Sequence, residues 1–109
     1  MKRYQVIILP SAESSISAAY EWIAEHDADA AIRWYNQLMD LILSLDTFPG
    51  RAPLAPESKS LNREIREIFH GRRHYKYRIL FTVTENEVHV LHVRHGARLA
   101  LGETETPDE

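Results

Sequence analysis

Arginine and histidine crowd one stretch of this chain. A basic strip of Arg63, Arg66, Arg72, Arg73, Lys76 and Arg78 is followed by His89, His92 and His95, and by the run Arg94-His95-Gly96-Ala97-Arg98. A guanidinium is a planar, always-charged fork that matches phosphate oxygens, and histidine is the side chain whose free pKa lies nearest neutrality. Together they suit cleavage of RNA through its own 2'-hydroxyl. That reaction needs a proton acceptor, a cation facing the charge that grows on the phosphorane, and a proton donor for the leaving oxygen. Each such group, well placed, contributes about 10² to 10⁴-fold. On an exposed strand the same side chains can equally be solvated or paired with Glu64, Glu67 and Glu87.

Other chemistries find less support. On a regular strand His89 and His95 point to one side and His92 to the other, so three metal ligands do not converge. The chain has no Cys, which removes a disulfide framework, a thiolate zinc site and a cysteine nucleophile. Ser11, Ser14, Ser15 and Ser17 fall at a helix start, where capping explains them, and Gly50 and Gly71 make no phosphate-cradling pattern. Gly96 reads as a turn or strand end. No metal and no cofactor are expected.

The elements that must position these residues follow from hydrophobic periodicity. Tyr4 to Leu9 is an apolar, β-branched run stopped by Pro10, hence a first strand. With Ser11 as the expected N-cap, Ile16, Ala19, Tyr20 and Ile23 recur at helical spacing to an end near His26. Asp27 or Asp29 caps a second helix with the stripe Ala31, Trp34, Tyr35, Leu38, Leu41, Ile42 and Leu45, folded back as a hairpin. Phe48-Pro49-Gly50 stops it, and Arg51 to Ser60 is a loop. The period then changes to 2. Ile65 to His70 is a strand with poor alternation, while Tyr75, Tyr77, Ile79, Phe81 and Val83 form the apolar face of the next. Thr84 to Glu87 turns the chain, and Val88 to Val93 returns. The expected fold is α+β: a single β-α-α-β-β-β domain over residues 1–101, with a helical hairpin packed on one face of a small antiparallel sheet and the opposite face free. Residues 102–109 form an acidic tail expected to be disordered.

The formal net charge of the 109 residues is -3, yet charge is unevenly spread. Residues 1–60 carry five basic and eight acidic side chains, residues 61–98 carry eight and four, and residues 99–109 carry none and four. A local basic surface is therefore compatible with an acidic chain. The apolar run before Pro10 is far short of the about 7 to 15 residues of a signal peptide core. No stretch approaches the roughly 20 apolar residues of a membrane span. A cytoplasmic protein with no membrane partner is expected.

The run Tyr77-Arg78-Ile79-Leu80-Phe81-Thr82-Val83, then Val88-His89-Val90-Leu91-His92-Val93, then Arg94-His95-Gly96-Ala97-Arg98, resembles the C-terminal signature of the RelE/ParE toxin superfamily. The helical hairpin ending in Phe48-Pro49 extends the resemblance over residues 2 to about 100. The resemblance implies the toxin of a bacterial type II toxin-antitoxin system, neutralised by a cognate antitoxin whose extended or helical segment wraps it. RelE-like members cut mRNA on the ribosome without a metal, and ParE-like members poison DNA gyrase without an enzymatic act. An inactive member kept as an antitoxin-binding partner is a third possibility. By the resemblance, Arg78 and Arg98 are the arginines of the RNA-cutting site and His95 its base, and Arg72 and Arg73 stand in for the family's paired lysines; Arg66, Lys76 and Arg94, from the basic strip and the terminal run, complete the expected substrate-binding cations. The concentration of Arg and His favours cleavage, so growth arrest by metal-independent, ribosome-dependent mRNA cleavage is the expected activity, with gyrase poisoning as the alternative. The absence of any Tyr after Tyr77, where RNA-cutting members carry a functional one, favours the gyrase-poison class.

Overall fold

Pro10 both ends the first strand and begins the first helix, because its fixed φ suits a helix and its missing N–H falls where no helical partner exists. In the computed structural model, which describes residues 2–71 and 76–96, β1 (Gln5–Ile8) leads directly into α1 (Pro10–His26). Leu9 is the N-cap and supplies no side-chain bond. Ser11, expected in that role, lies inside the helix and donates its Oγ–H to the Leu91 carbonyl at 2.7 Å. One turn further on, Ser15 Oγ accepts the Val93 N–H at 2.9 Å. Two helix hydroxyls thus take over the edge of the neighbouring strand at the point where Pro10 prevents β1 from continuing to pair with it.

Asp27 caps α2 (Ala28–Leu43) as expected, its carboxylate accepting the Ala30 N–H at 3.0 Å. The stripes of both helices point inward. Ala12, Ile16, Ala19 and Ile23 of α1 and Ala31, Trp34, Leu38 and Ile42 of α2 are buried, together with Leu45 in the following 3₁₀ turn. Tyr35 is the exception. It is exposed on the outer surface, its ring edge-on to Tyr20 at 6.0 Å. The left-handed residue that turns the chain after α2 is Phe48 (φ 49°), not Gly50. Arg51 holds that turn by donating to the Thr47 and Phe48 carbonyls at 2.7 and 3.2 Å.

The sheet runs in the order β1-β4-β3-β2, with β2 (Arg66–His70), β3 (Tyr77–Val83) and β4 (Glu87–His95). The β2–β3 and β3–β4 pairs are antiparallel, as expected. β1, however, pairs parallel to β4, so the sheet is mixed and not wholly antiparallel. Everything from the helical hairpin to β3 lies between the two strands in the chain, and only such a long connection lets strands pair parallel, which a tight turn cannot. Tyr77, Ile79 and Phe81 of β3 and Val88, Val90 and Val93 of β4 meet the helical stripes in the main core. Tyr75 and the 102–109 tail lie outside the described residues.

The opposite face of the sheet, expected to be free, is partly covered. The chain from Ala52 to Ile65, including the single turn α3 (Glu57–Ser60), folds over it, and Ala55 and Ile65 bury Leu80 in a second, small apolar cluster. This segment, the cap, is tied down by the Ala55 N–H to the Ile65 carbonyl (2.7 Å) and the Glu67 N–H to the Pro53 carbonyl (3.1 Å). Leu80 explains why cover is needed: a fully buried leucine on the outer face must be shielded from water. No helix among the described residues is long and apolar enough to cross a membrane.

Candidate functional site

The placement of the candidate residues is decided by one irregularity. Along β3–β4, Val83, Thr82 and Phe81 face Val88, His89 and Val90 in turn, but Leu80 faces His92, so Leu91 is an extra residue on β4. Such a bulge inverts the side of every residue beyond it relative to simple alternation. His89 and His92 therefore share the outer face, with Thr82 and Leu80. His95, paired with Tyr77, lies on the helix-covered face. The expectation from regular alternation, His89 and His95 on one side and His92 on the other, is corrected by this bulge.

Arg78 lies on the outer face beneath the cap. Its Nη2 donates to Glu57 Oε1 of α3 at 2.6 Å, and its Nε to Glu67 Oε1 of β2 at 2.9 Å. The Arg78 side chain is 8% exposed and that of Glu57 is fully buried. Burial works to lower the Arg78 pKa, but the two carboxylates outweigh it and hold the guanidinium firmly charged. Arg94 stands directly across from Arg78 in the strand register and is itself buried. Burial, and secondarily the Arg94 charge, push the neighbouring His92 below its ordinary pKa.

The remaining cations are divided between structural and exposed positions. Arg66 donates to the Ala52 carbonyl at 2.6 Å and lies 3.7 Å from Glu64, which fastens the start of the cap to β2. Lys76 is exposed, its ammonium 5.0 Å from the centre of the exposed Phe69 ring. His89 is bonded to Glu87 at 2.8 Å. The pairing of this strip with Glu64, Glu67 and Glu87 was legible from composition; Glu57 was not, because nothing local in Pro56-Glu57-Ser58 shows that the loop returns across the sheet.

His95 sits in an aromatic row, its ring 5.2 Å from that of Tyr77 and 6.3 Å from that of Trp22. Gly96 follows it in a turn, where an added Cβ would stand 3.1 Å from the Lys76 carbonyl oxygen. Arg78 and His95 are thus on opposite faces of one sheet. Arg72, Arg73 and Arg98 lie outside the described residues. No group of three potential metal ligands occurs among the described residues.

A family of known proteins, described as the ParE toxin of the type II toxin-antitoxin system parDE, matches this chain over residues 6–100. The chain belongs to the ParE toxin family. No curated protein matches it at a significant level. As a ParE-family member it is the toxin of a type II pair, with an antitoxin as partner. The α+β arrangement of helical hairpin and four-stranded sheet is that expected of the RelE/ParE superfamily. This ParE-family fold also carries a groove between α1 and α2 that reaches the end of β1, about 710 Å³ in volume. Ile8, Ile16, Tyr35 and Met39 line it, with Glu13 and Glu21 alongside.

Proposed function

We propose that this ParE-family toxin arrests growth by binding a protein target, DNA gyrase, in the cytoplasm, and not by cutting RNA. One observation carries the reading: the two described side chains that would share the work of cleavage, Arg78 and His95, lie on opposite faces of the sheet, and Arg78 already holds two carboxylates. Transition-state stabilisation requires preorganised donors aimed where charge develops, and a general base must come within hydrogen-bond reach of its proton. A buried, doubly paired guanidinium meets the first condition poorly, and a base on the other face cannot join it. The absence of a Tyr after Tyr77 points the same way. The antitoxin is then a competitor for surface, and the groove beside Tyr35, in which Ile8, Ile16 and Met39 alternate with Ser14, Ser17, Glu13 and Glu21, suits an amphipathic segment carrying basic side chains.

Purified toxin added to a gyrase supercoiling reaction should inhibit it, and ribosome-bound mRNA should stay whole in a toeprint assay run beside it. Cleaved mRNA with unaffected supercoiling would overturn the proposal and restore Arg78, His95 and Arg98 as a catalytic set.

A further inference from the structure

The turn after α2 displays an aromatic ring where a small polar residue would fit more easily. Phe48 has a φ of 49° and, at 68%, is the most exposed of the large apolar side chains described. A left-handed residue is ordinarily Gly or Asn, because a Cβ there crowds the following carbonyl oxygen. Gly50, two residues on, has no left-handed φ, and a Cβ added to it would meet nothing within 4 Å. The chain has a glycine in this turn and still gives the strained position to phenylalanine. A single exposed apolar side chain is ordinary. One held exposed in a strained backbone is not, and such strain concentrates at functional sites.

The turn is also braced. Arg51 Nη1 donates to the Thr47 and Phe48 carbonyls, and Nη2 donates to Ser44 Oγ at 3.0 Å. Pro49, next to the exposed ring, is buried. The ring is therefore presented by a fixed backbone, which reduces the ordering an aromatic anchor must undergo on binding.

The charge beside the ring has one sign. The bridge between Arg3 and Thr47, with the Tyr4 N–H bonded to the Asp46 carbonyl at 2.8 Å, lays residues 2–4 alongside 46–48 and sets Lys2 across from Phe48. The charged residues in segments 2–4 and 46–51 are Lys2, Arg3, Asp46 and Arg51. Arg3 and Asp46 pair with each other at 2.6 Å. Lys2 is exposed, its ammonium 5.0 Å from the centre of the Tyr4 ring, and the acceptors of Arg51 named above are uncharged. Lys2 and Arg51 thus leave a cationic rim around an apolar anchor, which is complementary to an apolar pocket edged by carboxylates on a partner protein. The groove beside Tyr35 has the opposite sign, with Glu13 and Glu21, and no residue from 44 to 51 lines it.

We propose that Phe48 is the anchor by which this toxin grips its target, entering an apolar, acid-rimmed pocket of a protein. The proposal rests on the gyrase reading and names the toxin's side of that contact.

The test uses the full chain in a gyrase supercoiling reaction and in growing cells. Phe48→Asn removes the ring and puts in a residue that accepts a left-handed backbone. Its urea midpoint should equal or exceed that of the wild type. The concentration giving half-inhibition should rise about thirtyfold, the size of an interface hot spot. Phe48→Tyr, which keeps the ring, should inhibit nearly as the wild type does. Lys2→Glu should weaken inhibition by no more than about fivefold, with an effect that fades as salt is raised. Growth arrest on expression reads the same anchor whatever the target. If the wild type arrests growth but leaves gyrase unaffected, the gyrase reading falls, and the anchor stands only if Phe48→Asn relieves the arrest. The anchor is overturned if Phe48→Asn inhibits and arrests as the wild type does, or if its urea midpoint falls along with its activity, the mark of a structural role. Inhibition that added DNA relieves would put the contact on nucleic acid and overturn it too. A wild-type chain that neither inhibits gyrase nor arrests growth overturns both readings. Should Phe48→Asn fail to fold, Phe48→Gly, which suits any left-handed position, carries the same comparison.

Discussion

The two faces of the sheet are closed by different physics. Beneath the helical hairpin, Tyr77, Ile79, Phe81, Val88, Val90 and Val93 meet two apolar stripes, and the face is sealed by area removed from water, a term that tolerates small errors of geometry. Beneath the cap, one leucine is covered by a small cluster and the rest of the closure is polar: Arg78 between Glu57 and Glu67, with hydrogen bonds from the Glu67 N–H to the Pro53 carbonyl and from Arg66 to the Ala52 carbonyl. Buried ion pairs depend on every partner being present, because the charges have given up their water. The first face stabilises the fold, and the second makes the position of a segment conditional on a few charges.

The largest expected effect breaks the ionic face. Arg78→Ala takes from the buried Glu57 carboxylate its ion-pair partner at 2.6 Å, and breaking one partner of a buried pair typically costs about 3–5 kcal/mol. Urea denaturation near neutral pH should show a loss of that size. Had Arg78 been an exposed catalytic arginine, as the resemblance implied, the same change would have fallen within about 0.5 kcal/mol. An unchanged urea midpoint would therefore show that the ion triad does not hold the cap.

What was legible in the sequence divides along the same line. The helical stripes, the Asp27 cap and the β3–β4 hairpin repeat over many residues and follow from local periodicity. The parallel pairing of β1, the bulge at Leu91 and the return of Glu57 across the sheet are set by contacts between distant segments. A single extra residue on β4 was enough to reverse the assigned sides of His92 and His95. Ser11 and Ser15 mislead for a similar reason: their positions suit capping, but their hydroxyls serve the edge of β4.

A matched pair of truncations sharpens the comparison. Leu38, fully buried in the helix-covered core, should cost about 2–5 kcal/mol when changed to Ala, with the loss appearing in global unfolding. Ile65, equally buried where the cap meets the sheet, should cost less on replacement by Ala, about 1–2 kcal/mol, because a thin layer relaxes or opens locally. The Ala55 amide should report that local opening by faster exchange in Ile65→Ala and not in Leu38→Ala. Equal global losses with no selective exchange would mean that the cap and the hairpin unfold as one unit.

The smallest expected effect is a pH dependence with one histidine on each face. His70 reaches the helix side, its Nε2 hydrogen-bonded to the Trp34 carbonyl at 3.0 Å. Burial pushes its pKa below the ordinary value, and the hydrogen bond offsets only part of this. His92, on the outer face, is lowered by burial and by Arg94. In both cases the folded chain holds the proton less tightly than the unfolded one, for which the pKa is about 6.5. The unfolded state therefore binds more protons between the folded pKa and about 6.5, and stability must rise with pH across that window. The contribution is fully present above about 6.5 and is lost as pH falls through the folded values. Urea midpoints measured at about pH 7.5 and about pH 5.5 should drop on the acid side, and His70→Gln and His92→Gln should each reduce that drop. Arg94→Gln should reduce it through His92 alone, since the coulombic part of the depression disappears while burial stays. An effect of Arg94→Gln that persists in the His92→Gln background would locate the sensitivity elsewhere under the cap, with Glu57 and Glu67 the remaining titratable groups known to face Arg78.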